Sequence, residues 1–162
     1  MGYTGPVLVI FHGGTGEGAA EGMLARARVA AARCSARAAL AAGFEAVIVA
    51  TDDPDVFEPL PDGVLIDADR GGAFDFFARL CGLVEHYGLE RPAVMGSGAV
   101  PLLGVDEFAL VVEQLQVRDA RLVTNNFFSG DLTAWTPGEA VLRVSPVARD
   151  NLLPRRLRDE AG

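Results

Sequence analysis

The residue types best suited to ligand chemistry in this chain follow its apolar runs. The first group is the segment 12–18, which holds four glycines directly after an apolar run. Backbone N–H groups at a strand–helix junction bind phosphate, and the helix dipole reinforces them. A flexible connection that needs glycine for tight turns is the alternative. The predicted phosphate-binding residues are Gly13, Gly14, Thr15 and Gly16.

Carboxylates and an arginine follow the next two apolar runs. Asp52 ends the second run, where a carboxylate accepts hydrogen bonds from ribose hydroxyls or base edges. A turn role is the alternative, because the Asp53–Pro54 pair favours turn initiation. Arg70 and Gly71 precede a helical pattern and are predicted to contact a phosphate or a base. Alternatively, Asp69 caps the turn and Arg70 faces solvent.

A polar cluster occupies residues 124–131. Asn125 and Asn126 are predicted to hydrogen-bond a ligand, and Asp131 is predicted to hold Mg²⁺. The alternative is an Asx turn, with Asp131 capping a helix over residues 132–135. A cap by itself does not account for both asparagines, so the ligand role is favoured.

The segment 96–103 joins an apolar run to an amphipathic one, as at the active-site edge of many α/β proteins. It contains no Asp, Glu, His, Cys or Lys. Gly98 is a candidate for close approach to a ligand. Ser97 lacks the G-x-S-x-G spacing of a hydrolase nucleophile, although the sequence His12-Gly13-Gly14 matches the oxyanion loop of esterases. A hydrolase is therefore disfavoured, and no catalytic residue is assigned.

The apolar pattern predicts the elements that position these residues. Strands are expected at 7–11, 46–50, 64–67, 92–95 and 122–124, and helices at 19–42, 73–87, 105–116 and 151–160. Residues 140–144 are predicted as an antiparallel edge strand. This alternation predicts a three-layer α/β fold with a mostly parallel sheet. We expect one domain over residues 1–162, either complete or lacking a C-terminal element.

The composition restricts the partners. The net charge is −8 and all 14 basic residues are arginine, which argues against a nucleic-acid surface. No apolar run is long enough to span a membrane. Cys34 and Cys81 lack ligand spacing and are expected to be buried thiols in a cytoplasmic protein. Phe127, Phe128 and Trp135 are expected either in a homo-oligomer contact or in a pocket lining.

The order of these motifs resembles that of the GT-A-like nucleotidyltransferases, particularly the MobA-like and phospholactate guanylyltransferase-like group. The resemblance includes the glycine-rich loop, the strand end at Asp52-Asp53 and the helix start at Gly71-Gly72. It also includes residues 98–103, which are similar to the G-D-x-P-L-L step of that group. Together these motifs extend over most of residues 7–124.

The resemblance implies a GT-A-like fold that binds a nucleoside triphosphate or a nucleotide-sugar. It also implies Mg²⁺ and transfer of a nucleotide to a small phosphorylated or carboxylated metabolite. Two departures are evident: Ala99 stands where the family has its metal-binding Asp, and the glycine loop has no basic residue. Asp131 and Asp52 are the remaining candidates for the metal. The alternative function is a non-catalytic nucleotide- or metabolite-binding or regulatory protein on the same fold.

Overall fold

Strands and helices alternate along most of the chain. The computed structural model describes residues 2–14, 16, 18–69 and 71–161. The strands are β1 (Pro6–His12), β2 (Ala46–Thr51), β3 (Val64–Ala68), β4 (Arg91–Gly96), β5 (Arg121–Thr124) and β6 (Leu132–Thr136). The α-helices are α1 (Ala19–Ala41), α2 (Phe76–Tyr87), α3 (Val105–Leu115) and α4 (Leu153–Glu160). Short 3₁₀ turns occupy Pro54–Phe57, Gly138–Arg143 and Asp150–Leu152.

The strands form one mostly parallel sheet in the order β3-β2-β1-β4-β6-β5. Strands β1 to β4 are parallel, with Val9 opposite Ile48 on one side and Val94 on the other. Strand β6 runs antiparallel to both β4 and β5. The carboxyl ends of β1, β2 and β4 therefore meet at one edge of the sheet, which confirms the predicted mostly parallel α/β fold.

Both faces of the sheet are covered, because alternate residues of β1 enter different cores. Val7 and Val9 pack with α2 and α4 on one face, whereas Leu8 and Ile10 pack with α1 and α3 on the other. A strand that is apolar on both faces is typical of a parallel sheet between two helical layers. The three-layer arrangement predicted from the sequence is confirmed.

The C-terminal third of the chain differs from the prediction. Residues 132–136 form strand β6, so the alternative in which Asp131 caps a helix over 132–135 is excluded, and the predicted edge strand over 140–144 is wrong. The chain leaves the sheet after β6, where the Trp135 Nε1–H donates a hydrogen bond to the Gly138 carbonyl at 3.0 Å. Residues 138–143 then follow a 3₁₀ path beside α2.

The burial of several side chains bears on the expectations. Trp135 is only 2 % exposed, belongs to the core and lines a pocket together with Phe127, whereas Phe128 is 78 % exposed. The expectation of buried thiols is wrong, because Cys34 is exposed and Cys81 is only partly buried at the margin of a core cluster. No helix among the described residues is long and apolar enough to cross a membrane.

Candidate functional site

A cleft lies at the carboxyl edge of the sheet. Its volume is about 540 Å³, and it is lined by the ends of β1, β2 and β4 and by residues 148–150. Ligands of α/β proteins bind at this edge, and this volume is within the range typical of small-molecule sites. Two predicted residues of the glycine loop, Gly13 and Gly14, line the cleft together with Asp52.

One wall of the cleft is aromatic. The Phe11 ring lies 5.1 Å from the Phe76 ring and 6.3 Å from the Phe74 ring, between ring centroids. Phe76 is buried, whereas Phe74 is 65 % exposed and faces the opening. Such a wall suits a flat ring in a ligand, because aromatic groups pack favourably by offset or edge contacts.

A chain of three side chains joins β1, α1 and the end of β4 beside the cleft. The Arg28 Nε–H donates to Ser97 Oγ at 3.2 Å, and Ser97 Oγ lies 3.0 Å from His12 Nδ1. Because arginine has no acceptor, Ser97 Oγ is the acceptor of the bond from Arg28, and the same oxygen also forms the hydrogen bond with His12 Nδ1. The pair is well shielded, since Ser97 is 1 % and His12 6 % exposed.

The surroundings keep His12 neutral. Burial lowers the pKa of His12 below its ordinary value of 6.5, and the Arg28 charge lowers this pKa further. Asp52 and Asp53 act in the opposite direction but do not reverse the shift. The ring also packs edge-on against Phe57, with centroids 5.0 Å apart. His12 is therefore a fixed neutral side chain that lines the cleft.

Asp52 and the glycine loop are brought together as predicted, but they bond to each other. The Gly14 N–H donates to both Asp52 carboxylate oxygens, at 3.1 and 3.2 Å. One amide of the predicted phosphate site is thus already paired. Gly16 is exposed and lies outside the lining of the cleft, and Thr15 lies outside the described residues. The phosphate role of the glycine loop stays a prediction.

The glycines at the end of β4 and just beyond it let neighbouring residues approach the backbone closely. A Cβ atom at Gly98 would lie 3.2 Å from Arg28 Cγ, so the Arg28 stem passes directly over this glycine. A Cβ atom at Gly96 would lie 3.8 Å from the Ala99 Cβ and 4.0 Å from Asp150 Oδ2. Gly96 thus lies between a methyl group and a carboxylate, at the position where the resemblance implies a metal.

The segment before α2 is held by ion pairs. Arg79 bonds to Asp69 at 2.8 Å and to Asp67 at 2.6 Å, and the Tyr87 hydroxyl donates to Asp67 at 2.7 Å. Asp69 lines the cleft but is already paired, and α2 is capped instead by Asp75, whose side chain accepts from Ala78 N–H.

Of the other two predicted contacts of this segment, the structure describes only Gly71. Gly71 has a φ of +82°, and the space around it is open. A side chain at this position would strain the backbone without meeting a neighbour. Arg70 lies outside the described residues. Ligand roles for both residues stay predictions.

The polar cluster after β5 stabilises its own hairpin. Asn125 Oδ1 accepts from the N–H groups of Asp131 at 2.9 Å and Leu132 at 3.1 Å, and its Nδ2 donates to Asp131 Oδ2. Asn126 Oδ1 accepts from the Phe128 N–H at 2.9 Å. These turn contacts account for both asparagines, contrary to the reasoning that favoured a ligand role. Their ligand role, like the metal role of Asp131, stays a prediction.

The donor set at the cleft is poor for a divalent cation. Among the described residues, no group of three or more His, Cys, Asp or Glu side chains is arranged to hold a metal. Asp131 shares its carboxylate with Asn125, and Ala99 offers only a methyl group beside Asp150. Mg²⁺ prefers carboxylate and phosphate oxygens. The residues present do not fit the metal site that the resemblance implies.

Sequence reasoning missed most of the side chains that line or support the cleft. The polar ones are His12 as a side chain, Arg28, Ser97, Arg149 and Asp150, and the aromatic wall of Phe11, Phe74 and Phe76 was missed as well. Arg28 lies within a helical pattern that gives no sign of a ligand, and residues 149–150 lie far from the other motifs in sequence. The one local signal is glycine on both sides of Ser97, which indicates close packing there.

Comparison with solved structures gives the class of fold, which is nucleotidyltransferase-like. The nucleotidyl transferase Mth528 from Methanothermobacter matches with a TM-score of 0.63 at 15% identity, over 97% of this chain and 84% of that one. CMP:2-keto-3-deoxy-manno-octonic acid synthetase, complexed with CTP, matches with a TM-score of 0.55 at 11% identity, over 86% and 76%. Rv0371c from Mycobacterium tuberculosis H37Rv matches with a TM-score of 0.52 at 14% identity, over 93% and 80%.

At these identities the likeness concerns the fold alone. No protein-family profile matches the sequence, and no curated protein matches it. The function of the chain therefore has to be argued from its own cleft.

Proposed function

We propose that this protein binds a nucleoside triphosphate or a nucleotide-sugar in the cleft at the carboxyl edge of β1, β2 and β4. The observation that carries the proposal is the make-up of this cleft, which combines an aromatic wall with cationic side chains in about 540 Å³. A nucleotide has both a flat base and anionic phosphates, so it satisfies both parts. The fold, shared with a synthetase complexed with CTP, supports the same ligand class.

Transfer of the nucleotide is the catalytic form of this proposal. An oxygen of a small phosphorylated or carboxylated acceptor would attack the α-phosphorus of the triphosphate, forming a new P–O bond and releasing pyrophosphate. The MobA-like resemblance supports this reaction and implies Mg²⁺, for which Asp131 is the predicted ligand, but the residues present do not fit such a metal site. The cleft residues would bind and orient the nucleotide, and no residue is assigned to the chemical step.

Binding without transfer is the second candidate, and Ala99 favours it. Its methyl group stands where the resemblance implies a metal-binding carboxylate, and a methyl group cannot coordinate a cation. A protein that only binds the nucleotide keeps the fold and the aromatic wall. It lacks the metal charge that would stabilise the pyrophosphate leaving group. A regulatory or storage role would need only the binding.

Thermal unfolding with each nucleoside triphosphate, with and without Mg²⁺, tests the binding. A ligand at a hundred times its Kd adds about 2.7 kcal/mol of stability. We expect Phe74→Ala to reduce this gain by removing the exposed ring of the wall. Leu102→Ala, which truncates another exposed apolar side chain outside the cleft lining, is the matched control. Absence of stabilisation by every nucleotide and nucleotide-sugar contradicts the proposal.

Release of pyrophosphate separates the two candidates. The protein is incubated with the nucleotide that stabilises it and with mixtures of phosphorylated and carboxylated acceptors. Pyrophosphate formed in proportion to a new nucleotide conjugate supports transfer. Tight binding with no pyrophosphate, in Mg²⁺ or Mn²⁺, supports the binding protein.

A further inference from the structure

We propose that Arg28 and Arg149 supply the positive charge that neutralises the ligand phosphates, so that binding in this cleft needs no divalent cation. This inference rests on the proposed function, since it concerns how the same cleft holds phosphate. Its ligand class is a di- or triphosphate group, recognised through guanidinium hydrogen bonds. The two arginines come from α1 and from the segment before α4, and both line the cleft.

Arg28 is held in place for this role. Its stem crosses Gly98, and its Nε–H is fixed on Ser97 Oγ at 3.2 Å. Its terminal Nη1 and Nη2 groups make no hydrogen bond or ion pair with any residue that the structure describes. A guanidinium that is anchored at Nε and unpaired at its tip loses little entropy when it binds an anion.

Arg149 provides the second cation from a distant part of the chain. It is exposed and lines the cleft beside Asp150, and its side chain makes no ion pair or hydrogen bond with the described residues. By contrast, the arginines of α4 are paired within the helix, Arg155 with Asp159 and Arg156 with Glu160. The cleft thus contains guanidinium groups available to a ligand.

The carboxylates of the cleft are locally engaged, unlike these arginines. Asp52 accepts from the Gly14 N–H, and Asp69 pairs with Arg79. Asp150 Oδ1 accepts the N–H of the next residue at 2.8 Å. Repulsion of phosphate by these groups is therefore reduced but not removed, and the two arginines have to offset it.

The position next to Gly96 explains why arginine has to replace the metal. Because residue 99 is alanine, the carboxylate that lies beside Gly96 is that of Asp150. A dedicated cation site would need a second carboxylate at this place. Guanidinium groups bind phosphate oxygens through paired N–H donors and keep their charge at all ordinary pH values. They supply the charge neutralisation without a metal, although not the geometry of a metal-bound phosphate.

The test measures binding by isothermal titration calorimetry, once in EDTA and once in MgCl₂. The probes are pyrophosphate and the four common ribonucleoside triphosphates. The variants are Arg149→Gln, at an exposed site where folding is not at risk, and Arg28→Gln. Arg118→Gln is the matched control, because Arg118 is also exposed and its side chain has no partner in the part of the chain that the structure describes, but it follows α3 at the opposite edge of the sheet.

We expect Kd to agree within about twofold between EDTA and MgCl₂, and each cleft variant to weaken binding about tenfold, as for loss of a charged hydrogen bond. Arg118→Gln should leave Kd unchanged. Binding that appears only with MgCl₂ overturns the inference and leaves the proposed function standing. If pyrophosphate binds in EDTA and no nucleotide binds, the result supports the arginine site and contradicts the proposal that the ligand is a nucleotide. Equal loss in Arg118→Gln, or no binding of any probe, overturns the inference.

Discussion

Ser97 Oγ and His12 Nδ1 lie 3.0 Å apart, which joins the ends of β4 and β1 by a buried hydrogen bond. Arg28 of α1 adds a third side chain, because its Nε–H donates to the same Ser97 Oγ. The three side chains link β1, α1 and the end of β4 beside the cleft, so the positions of the His12 ring and of the Arg28 guanidinium depend on one serine hydroxyl.

Ser97→Ala is expected to lower the free energy of unfolding by about 1–3 kcal/mol. The substitution leaves His12 Nδ1 without its partner in a buried place, and such an unsatisfied group carries most of its desolvation cost. Chemical denaturation measures the stability, and the ¹⁵N shifts of the imidazole should change with loss of the bond at Nδ1. Ser35→Ala, two turns beyond Arg28 in α1, is the matched control. Unchanged imidazole ¹⁵N shifts in Ser97→Ala contradict this contact.

His12 should make the protein less stable in acid. Because the pKa of His12 is lower in the folded protein than its ordinary value of 6.5, the unfolded chain binds more protons below that pH. Stability contributed by neutral His12 is fully present above pH 6.5 and is lost as the pH falls towards the folded pKa. We expect His12→Gln to flatten this part of the curve of unfolding free energy against pH, and an unchanged curve would contradict the shift.

Tyr87→Phe is expected to cost about 1 kcal/mol, the typical value for one hydrogen bond. The pKa of Tyr87 is raised to about 12 by burial first, and then by its bond to Asp67. Burial acts to raise the pKa of Asp67, but hydrogen bonds from Tyr87 and Arg79 outweigh it and lower that pKa below 3.8.

The stability gained from ionised Asp67 is therefore present above pH 3.8 and lost as the pH falls through its folded pKa. The cost of Tyr87→Phe should shrink in that acid range, as measured by urea unfolding at several pH values. Tyr3→Phe provides the control, since the Tyr3 ring lies 6.4 Å from that of Tyr87 but its hydroxyl makes no such bond. A cost that is constant with pH would argue against the Asp67 partner.

Gly138→Ala is expected to destabilise the protein by about 3 kcal/mol. A Cβ atom there would overlap the Leu89 carbonyl oxygen, which is backbone and cannot turn aside. Gly82→Ala is the opposite case, because this glycine lies within α2 and has open space around it. That change should stabilise the protein by about 1 kcal/mol through helix propensity. Thermal unfolding of both variants checks the pair, and equal effects would contradict the packing at Gly138.

Ala99→Asp is expected to create affinity for Mg²⁺ or Mn²⁺. The new carboxylate would lie beside Gly96, which also adjoins Asp150 Oδ2. Two carboxylates at one edge are a usual set for Mg²⁺ with phosphate oxygens. Calorimetric titration with MnCl₂ measures the gain, and Ala99→Asn, which adds a neutral group of the same shape, is the control. Equal metal binding by both variants would show that the position plays no such role.

The alternation of strands and helices follows from the sequence alone. Runs such as 7–11 and 46–50 are apolar at every position, which is stable only in a strand covered on both faces. The resemblance to nucleotidyltransferases, drawn from the order of weak motifs, led to the correct fold. Strand β6 was missed because its residues 132–136 carry too short an alternation to distinguish a strand from a helical turn.

The site was decided by the tertiary structure. His12 and Ser97 are 85 residues apart and Arg28 and Ser97 are 69 apart, so no local pattern reveals their contact. Asn125 and Asp131 looked suited to a ligand because the sequence shows which polar groups are present but not which are already paired. The sequence determines which residues must be buried, since burial of apolar side chains depends on their type and spacing. Which polar groups remain free for a ligand depends on distances between elements, and only the packed sheet sets those distances.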